Sequence, residues 1–131
     1  MMDAPQLKPT VLVVDDEPDI RDSLRELLEL VGYHAETADN GETALRHLEA
    51  HGPPALLLLD LMMPVMDGVQ LLQRLRGHPD PALAALPVVV CSAMVNASSL
   101  RERFGCEVMA KPVDVSRLLD LVQRHAGTHA A

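Results

Sequence analysis

Hydrophobic and polar positions along this chain follow two periods in turn, short unbroken apolar runs and longer stretches with an apolar residue every three or four positions. Thr10 to Val14 reads TVLVV and passes directly into Asp15, Asp16 and Glu17, which predicts a strand ending in an acidic turn. Pro18 suits the first position of a helix, and Ile20, Leu24, Leu27, Leu28 and Val31 share one helical face before Gly32. Tyr33 to Ala38 predicts a weaker strand, after which Asp39 or Asn40 caps a helix carrying Ala44, Leu45 and Leu48 and ended by Gly52. Ala55 to Leu59 is apolar without alternation, as a central parallel strand covered on both faces must be, and it stops at Asp60. Pro64, Asp67 and Gly68 mark a loop, and Val69, Leu72 and Leu75 line a third helix stopped by Gly77. Pro87 opens a strand from Val88 to Cys91 that leads into Ser92, and a short helix with Leu100 and Phe104 ends at Gly105. Cys106 to Ala110 reads as the last strand before Lys111 and Pro112. Val115, Leu118, Leu119 and Val122 give a final amphipathic face, with GTHAA beyond it as a fraying tail.

Strands that alternate with helices in this way predict an α/β fold, a three-layer sandwich with a five-stranded parallel sheet in the order 2-1-3-4-5, because parallel strands need right-handed crossovers. Ligands of such sheets sit beyond the carboxyl ends of the strands at the switch point, here between the first and third strands. Asp15 and Asp16 follow strand one, Asp60 strand three, Ser92 strand four and Lys111 strand five, so all five residues face one crevice. Carboxylates crowded together repel and take up protons unless a hard divalent cation neutralises them, and oxygen-only ligation suits Mg²⁺. The lysine ammonium and serine hydroxyl complete a pocket for a small anion with several charged oxygens, for which a phosphoryl group is the natural candidate.

Composition narrows the function. The 131 residues leave room for one domain, and with 48% hydrophobic and 23% charged residues the chain is expected to fold by itself. A formal net charge of -8 disfavours direct nucleic-acid binding, and Tyr33 and Phe104 are the only aromatics on which bases could stack. Cys91 and Cys106 show no CxxC spacing and read as buried small hydrophobes in a reducing compartment. MMDAPQLKPT lacks the basic and apolar regions of a signal peptide, and the uncharged stretch from Pro81 to Val95 is broken and too short for a membrane span. A cytoplasmic protein without a membrane partner is expected.

VLVVDDEPDIR, LLLLDLMMPVMDG, VVVCSA and the AKP of Ala110 to Pro112 stand in the order and near the spacing found in the receiver domains of two-component response regulators, which the chain resembles from Val11 to about Arg124. The resemblance implies a flavodoxin-like receiver fold at residues 10–125, with residues 1–9 as an N-terminal extension and 126–131 as a tail. It further implies that Asp60 is the phosphoacceptor, that Asp16, Asp60 and the Met62 backbone carbonyl hold Mg²⁺ with Asp15 assisting through water, and that Lys111 and Ser92 contact the phosphoryl group. The implied activity is that of a signalling module and not a conventional enzyme. It would take a phosphoryl group from a phosphohistidine of a histidine kinase or phosphotransfer protein and shift the surface formed by the fourth helix, fifth strand and fifth helix read above to change the binding of a downstream protein; a module acting alone, as a monomer or weak dimer, is expected. A cis Lys111 to Pro112 bond belongs to the same pattern.

Several residues carry plainer readings. Acids after strand one also cap a helix, and Ser92 or Lys111 taken singly is an ordinary strand end or surface residue; only their combination with Asp60 points to chemistry. His47 and His51 stand at i, i+4 without a third ligand following them and read as a solvated helix face. Met62 and Met94 lie two residues past Asp60 and Ser92, where thioethers are expected to limit the approach of water and prolong a phosphorylated state. Val108 occupies the position where receivers usually carry Tyr or Phe, so a ring-flip readout is not expected; backbone rearrangement of the short helix around Leu100 with the last strand takes its place. Two rival readings stay open. A haloacid dehalogenase-like phosphatase needs DxD where this chain has Asp15 and Asp16 in sequence, and a pseudo-receiver scaffold typically lacks an acid or the lysine.

Overall fold

Each β-α unit read from the sequence is present in the computed structural model, which describes residues 8–63, 65–93 and 97–127. The elements are β1 (Thr10–Val14), α1 (Pro18–Leu30), β2 (His34–Ala38), α2 (Gly41–His51), β3 (Leu56–Leu59), α3 (Gly68–Arg76), α4 (Pro81–Ala84), β4 (Val88–Ser92), α5 (Ala97–Phe104), β5 (Glu107–Ala110) and α6 (Val115–Ala126). The strands are parallel and ordered β2-β1-β3-β4-β5, with Val14 opposite both Ala38 and Leu59, and Ser92 opposite Ala110. That register brings the carboxyl ends of β1, β3, β4 and β5 to one edge.

Strand side chains point alternately to the two faces, so a run of leucines and valines feeds two cores at once. Leu12, Val14, Leu57, Leu59, Val88 and Val90 pack with Leu45, Leu48, Leu71, Leu75, Leu83 and Phe104 on one side. Val11, Val13, Leu56, Leu58, Val89 and Cys91 pack with Leu28, Leu118 and Val122 on the other. The buried set is almost wholly aliphatic, and each buried Leu or Val adds about 1.5–3 kcal/mol relative to an exposed one.

Helix α4 was absent from the sequence reading, although Asp80 before Pro81 is a cap followed by a first-turn proline, and the Asp80 side chain accepts from the Ala82 N–H at 2.9 Å. The amphipathic faces also need correction. On α6 the buried residues are Leu118, Leu121 and Val122, while Val115 is exposed. On α1 only Leu28 is fully buried, and Val31 lies past the helix end. Ala126, assigned above to the tail, closes α6, and the Gly127 carbonyl accepts the Tyr33 hydroxyl at 2.6 Å. Residues 1–7 of the expected extension and 128–131 of the expected tail lie outside the described residues. Among the described residues no helix is long and apolar enough to cross a membrane.

Candidate functional site

At the carboxyl edge of the sheet, Asp15, Asp16 and Asp60 each offer a carboxylate oxygen within 4.8 Å of the others, and among the described residues they are the one set of three such donors that already stand this close together. Asp15 and Asp60 are buried and Asp16 is exposed. Strand pairing delivers the two buried acids: the Asp15 N–H donates to the Ala38 carbonyl at 3.2 Å and the Asp60 N–H to the Val14 carbonyl at 2.9 Å. Asp15 Oδ1 accepts from the Glu17 N–H at 2.9 Å, and Asp60 Oδ1 from the Met62 N–H at 3.2 Å.

Lys111 reaches this nest from the end of β5. Its Nζ lies 3.1 Å from Asp15 Oδ2 and 3.6 Å from Asp60 Oδ2. The Lys111 to Pro112 peptide is cis, and the Lys111 N–H donates to the Ser92 carbonyl at 3.0 Å, which ties the ends of β4 and β5 together. Ser92 is fully buried at the end of β4. Asp15, Asp16, Asp60, Ser92 and Lys111 thus stand together at one strand edge, as the spacing predicted. Met62 contributes its backbone beside Asp60 while its side chain is exposed, and Met94 lies outside the described residues.

The electrostatics are unbalanced. Burial pushes the Asp60 carboxyl above its ordinary value; the Met62 N–H and Lys111 pull it down, and Asp15 and Asp16 push it up again. For Lys111, burial works against the charged form, but the hydrogen bond and charge of Asp15, with the charge of Asp60, hold its ammonium above the usual range. One ammonium faces three acids. The donor set is all carboxylate oxygen, hard and anionic, and therefore fits Mg²⁺ in preference to a thiophilic metal.

Three features of the site escaped the sequence reading. Arg21 Nη1 donates to the Asp15 carbonyl at 2.8 Å, which steadies the turn from β1 into α1. Gly68, assigned to the loop, is the first residue of α3: Asp67 caps the helix with Gln70 completing a capping box, and a Cβ at Gly68 would come within 2.7 Å of the Asp60 carbonyl oxygen. Gly41 likewise donates its N–H to the Met66 carbonyl at 3.0 Å, in a space where a Cβ would meet that oxygen at 2.6 Å. Both glycines let the loop after Asp60 lie flat on the helices beside it, and the Gly after Asp in MDG was the available signal. Next to the nest, Ile20, Leu24, Ala93, Pro112 and Val113 line an apolar groove of about 640 Å³ that Lys111 borders.

The fold and the site define a class, and comparison with known proteins agrees. The family model of the response regulator receiver domain matches residues 11–123, and the chain belongs to that family. It is 35% identical over 117 residues to the regulatory protein AtoC of Escherichia coli, covering 87% of this chain and 24% of that protein. It is 37% identical over 118 residues to the response regulator Rre1 of Synechocystis, covering 87% of this chain and 50% of Rre1. The chain therefore spans a quarter to a half of the length of these relatives. Among solved structures, a response regulator receiver protein from Pseudomonas putida superimposes with a TM-score of 0.82 at 31% identity, covering 91% of this chain and 98% of that one. The signal receiver domain of a histidine kinase from Syntrophus aciditrophicus does so with a TM-score of 0.78 at 31% identity, covering 90% and 89%.

Proposed function

We propose that this receiver domain accepts a phosphoryl group on Asp60 from the phosphohistidine of a histidine kinase or phosphotransfer protein and passes the signal on by changing its surface for a downstream protein. The observation that carries the reading is the Lys111 ammonium set 3.1 Å from Asp15 and 3.6 Å from Asp60, with Asp16 alongside. A pseudo-receiver would have no need of this arrangement, and a dehalogenase-type phosphatase would place its second acid elsewhere.

In the proposed reaction an Asp60 carboxylate oxygen forms a P–O bond as the donor's P–N bond breaks, and the imidazole leaves and takes up a proton. The Met62 N–H fixes the Asp60 carboxylate by holding Oδ1, so that the attacking group is oriented before the donor arrives. Asp15, Asp16, Asp60 and the Met62 carbonyl are the residues that would hold Mg²⁺, which offsets charge on the transferred oxygens when bound. Lys111 answers the same charge from the other side, and the Ser92 hydroxyl turns toward the new phosphoryl oxygens. The reaction is the domain's own, including hydrolysis of the acyl phosphate by water.

Readout runs through backbone. Val108 is buried on β5 among Leu100, Phe104 and Cys106, so position 108 itself carries no aromatic ring to rotate. The Lys111 to Ser92 hydrogen bond joins β5 to β4, so movement of Ser92 or Lys111 pulls on β5 and the adjoining surfaces of α5 and α6. Identical amide spectra of that surface before and after beryllofluoride loading would refute this part. The phosphorylation itself is tested by intact mass after incubation with acetyl phosphate and Mg²⁺: a single phosphoryl adduct on the parent and none on Asp60→Asn is expected, and adducts on both or on neither would overturn it.

A further inference from the structure

We propose that Glu36, His47 and His51, with His34 as an additional donor, form a second metal site that takes a borderline first-row cation such as Zn²⁺, on the α2 side of β2. It lies apart from the acidic nest, toward the amino ends of β1 and β2. Residues at i and i+2 on a strand share a face, and β2 turns His34 and Glu36 toward α2; residues at i and i+4 share a helix face, and α2 presents His47 and His51. The helix pair lacks a third ligand only along the sequence. Across the strand, His47 Nε2 lies 2.8 Å from Glu36 Oε1, and His34 Nε2 lies 3.4 Å from the other oxygen, Oε2.

The Glu36–His47 pair is spaced for a shared ion, with the third donor supplied by His51. Zinc bonds of roughly 2.0–2.2 Å to nitrogen and oxygen put neighbouring tetrahedral donors about 3.3 Å apart, so Glu36 and His47 need to part by only a few tenths of an ångström. The His51 ring stacks on that of His47 with centroids 4.5 Å apart, and its Nδ1 is 3.1 Å from the His47 carbonyl oxygen. His51 is exposed, and its ring joins the others by turning off the His47 carbonyl. Glu36, His47 and His51 line one cavity of about 210 Å³ together with Thr10 and Gly52. Burial works to raise the Glu36 carboxyl, but hydrogen bonds from His47 and His34 outweigh it and hold it below its ordinary value, so the oxygen donor is an anion at neutral pH. Imidazole donors select Zn²⁺, Cu²⁺ or Ni²⁺ over Mg²⁺, so the two sites take different ions.

The test is calorimetric titration of the whole protein with ZnCl₂ in a large excess of Mg²⁺, which competes at the acidic nest, alongside His51→Ala and Glu36→Gln. One equivalent of Zn²⁺ is expected on the parent, with affinity at least tenfold weaker in both variants. Imidazole nitrogen resonances of His47 and His51 in the parent are expected to shift on zinc addition, a readout that needs no variant to fold. Absence of zinc binding under excess Mg²⁺, equal affinity in parent and variants, or unmoved imidazole resonances would each overturn the proposal.

Discussion

Lys111 donates to Asp15, Nζ to Oδ2 at 3.1 Å, and stands farther from the acid it is proposed to serve, Asp60, at 3.6 Å. The ammonium offsets part of the charge of the nest. A cation entering the nest competes with that charge, and two like charges a few ångströms apart cost on the order of 1–4 kcal/mol. Lys111→Met is therefore predicted to bind Mg²⁺ about tenfold more tightly while phosphorylating more slowly from acetyl phosphate. Magnesium titration calorimetry checks the first half, and unchanged or weaker binding in the variant would count against the assigned role.

Crowding on Asp60 has a consequence for stability. Burial and the neighbouring acids raise its folded-state value above the ordinary carboxylate value. Between the two values the folded protein holds a proton that the unfolded chain has already released, so the metal-free fold loses stability as pH rises through that window. Asp60→Asn removes this loss. In urea denaturation with EDTA the variant is predicted to be more stable than the parent at pH well above the carboxylate range, with the advantage shrinking as pH falls toward it. A variant less stable than the parent at neutral pH would contradict the account.

The groove beside Lys111 supplies a way to separate donor docking from chemistry. Ile20 and Leu24 lie partly buried on its wall, and Lys111 of the nest borders the same groove. Ile20→Asp is predicted to lower kcat/KM for transfer from a phosphorylated histidine kinase or phosphotransfer protein by about tenfold, a loss near 1.4 kcal/mol typical of a buried contact residue. Phosphorylation by acetyl phosphate should be unchanged. Equal losses with both donors would place the defect in the nest and not in docking.

Met62 is 59% exposed two residues past Asp60. Its thioether cannot hold a water by strong hydrogen bonds, whereas an amide can. Met62→Asn is predicted to shorten the lifetime of the phosphorylated protein by roughly tenfold, about 1.4 kcal/mol of barrier. Loss of the phosphoryl signal followed by intact mass measures it, and an equal or longer lifetime would remove the shielding role.

Most of the fold was legible because apolar runs and helical faces report burial directly. TVLVV, ALLLL and VVVC could only be covered strands, and each ended in the polar residue that now lines the nest. The site was legible because its residues follow strand ends, where register fixes their positions. What stayed hidden depended on tertiary packing. On α1, Ile20 and Leu24 border a groove and stay only partly buried, Leu24 meeting the core at its edge, so the helical period overstated their burial. Gly68 is helical because Asp67 caps it, although Asp-Gly reads as a turn. Glu36 as a companion of His47 required the pairing of β2 with α2, which lies eleven residues away in sequence and within hydrogen-bond reach in space.

On the proposed function, the carboxylate of residue 60 itself carries the phosphoryl group. Acyl phosphates are reduced by borohydride to the alcohol, which turns a phosphorylated aspartate into homoserine. Treating the acetyl phosphate-loaded protein with borohydride and sequencing its peptides by mass spectrometry is predicted to find homoserine at position 60 alone. Homoserine at position 15 or 16, or a phosphoryl adduct that yields none at position 60, would contradict it.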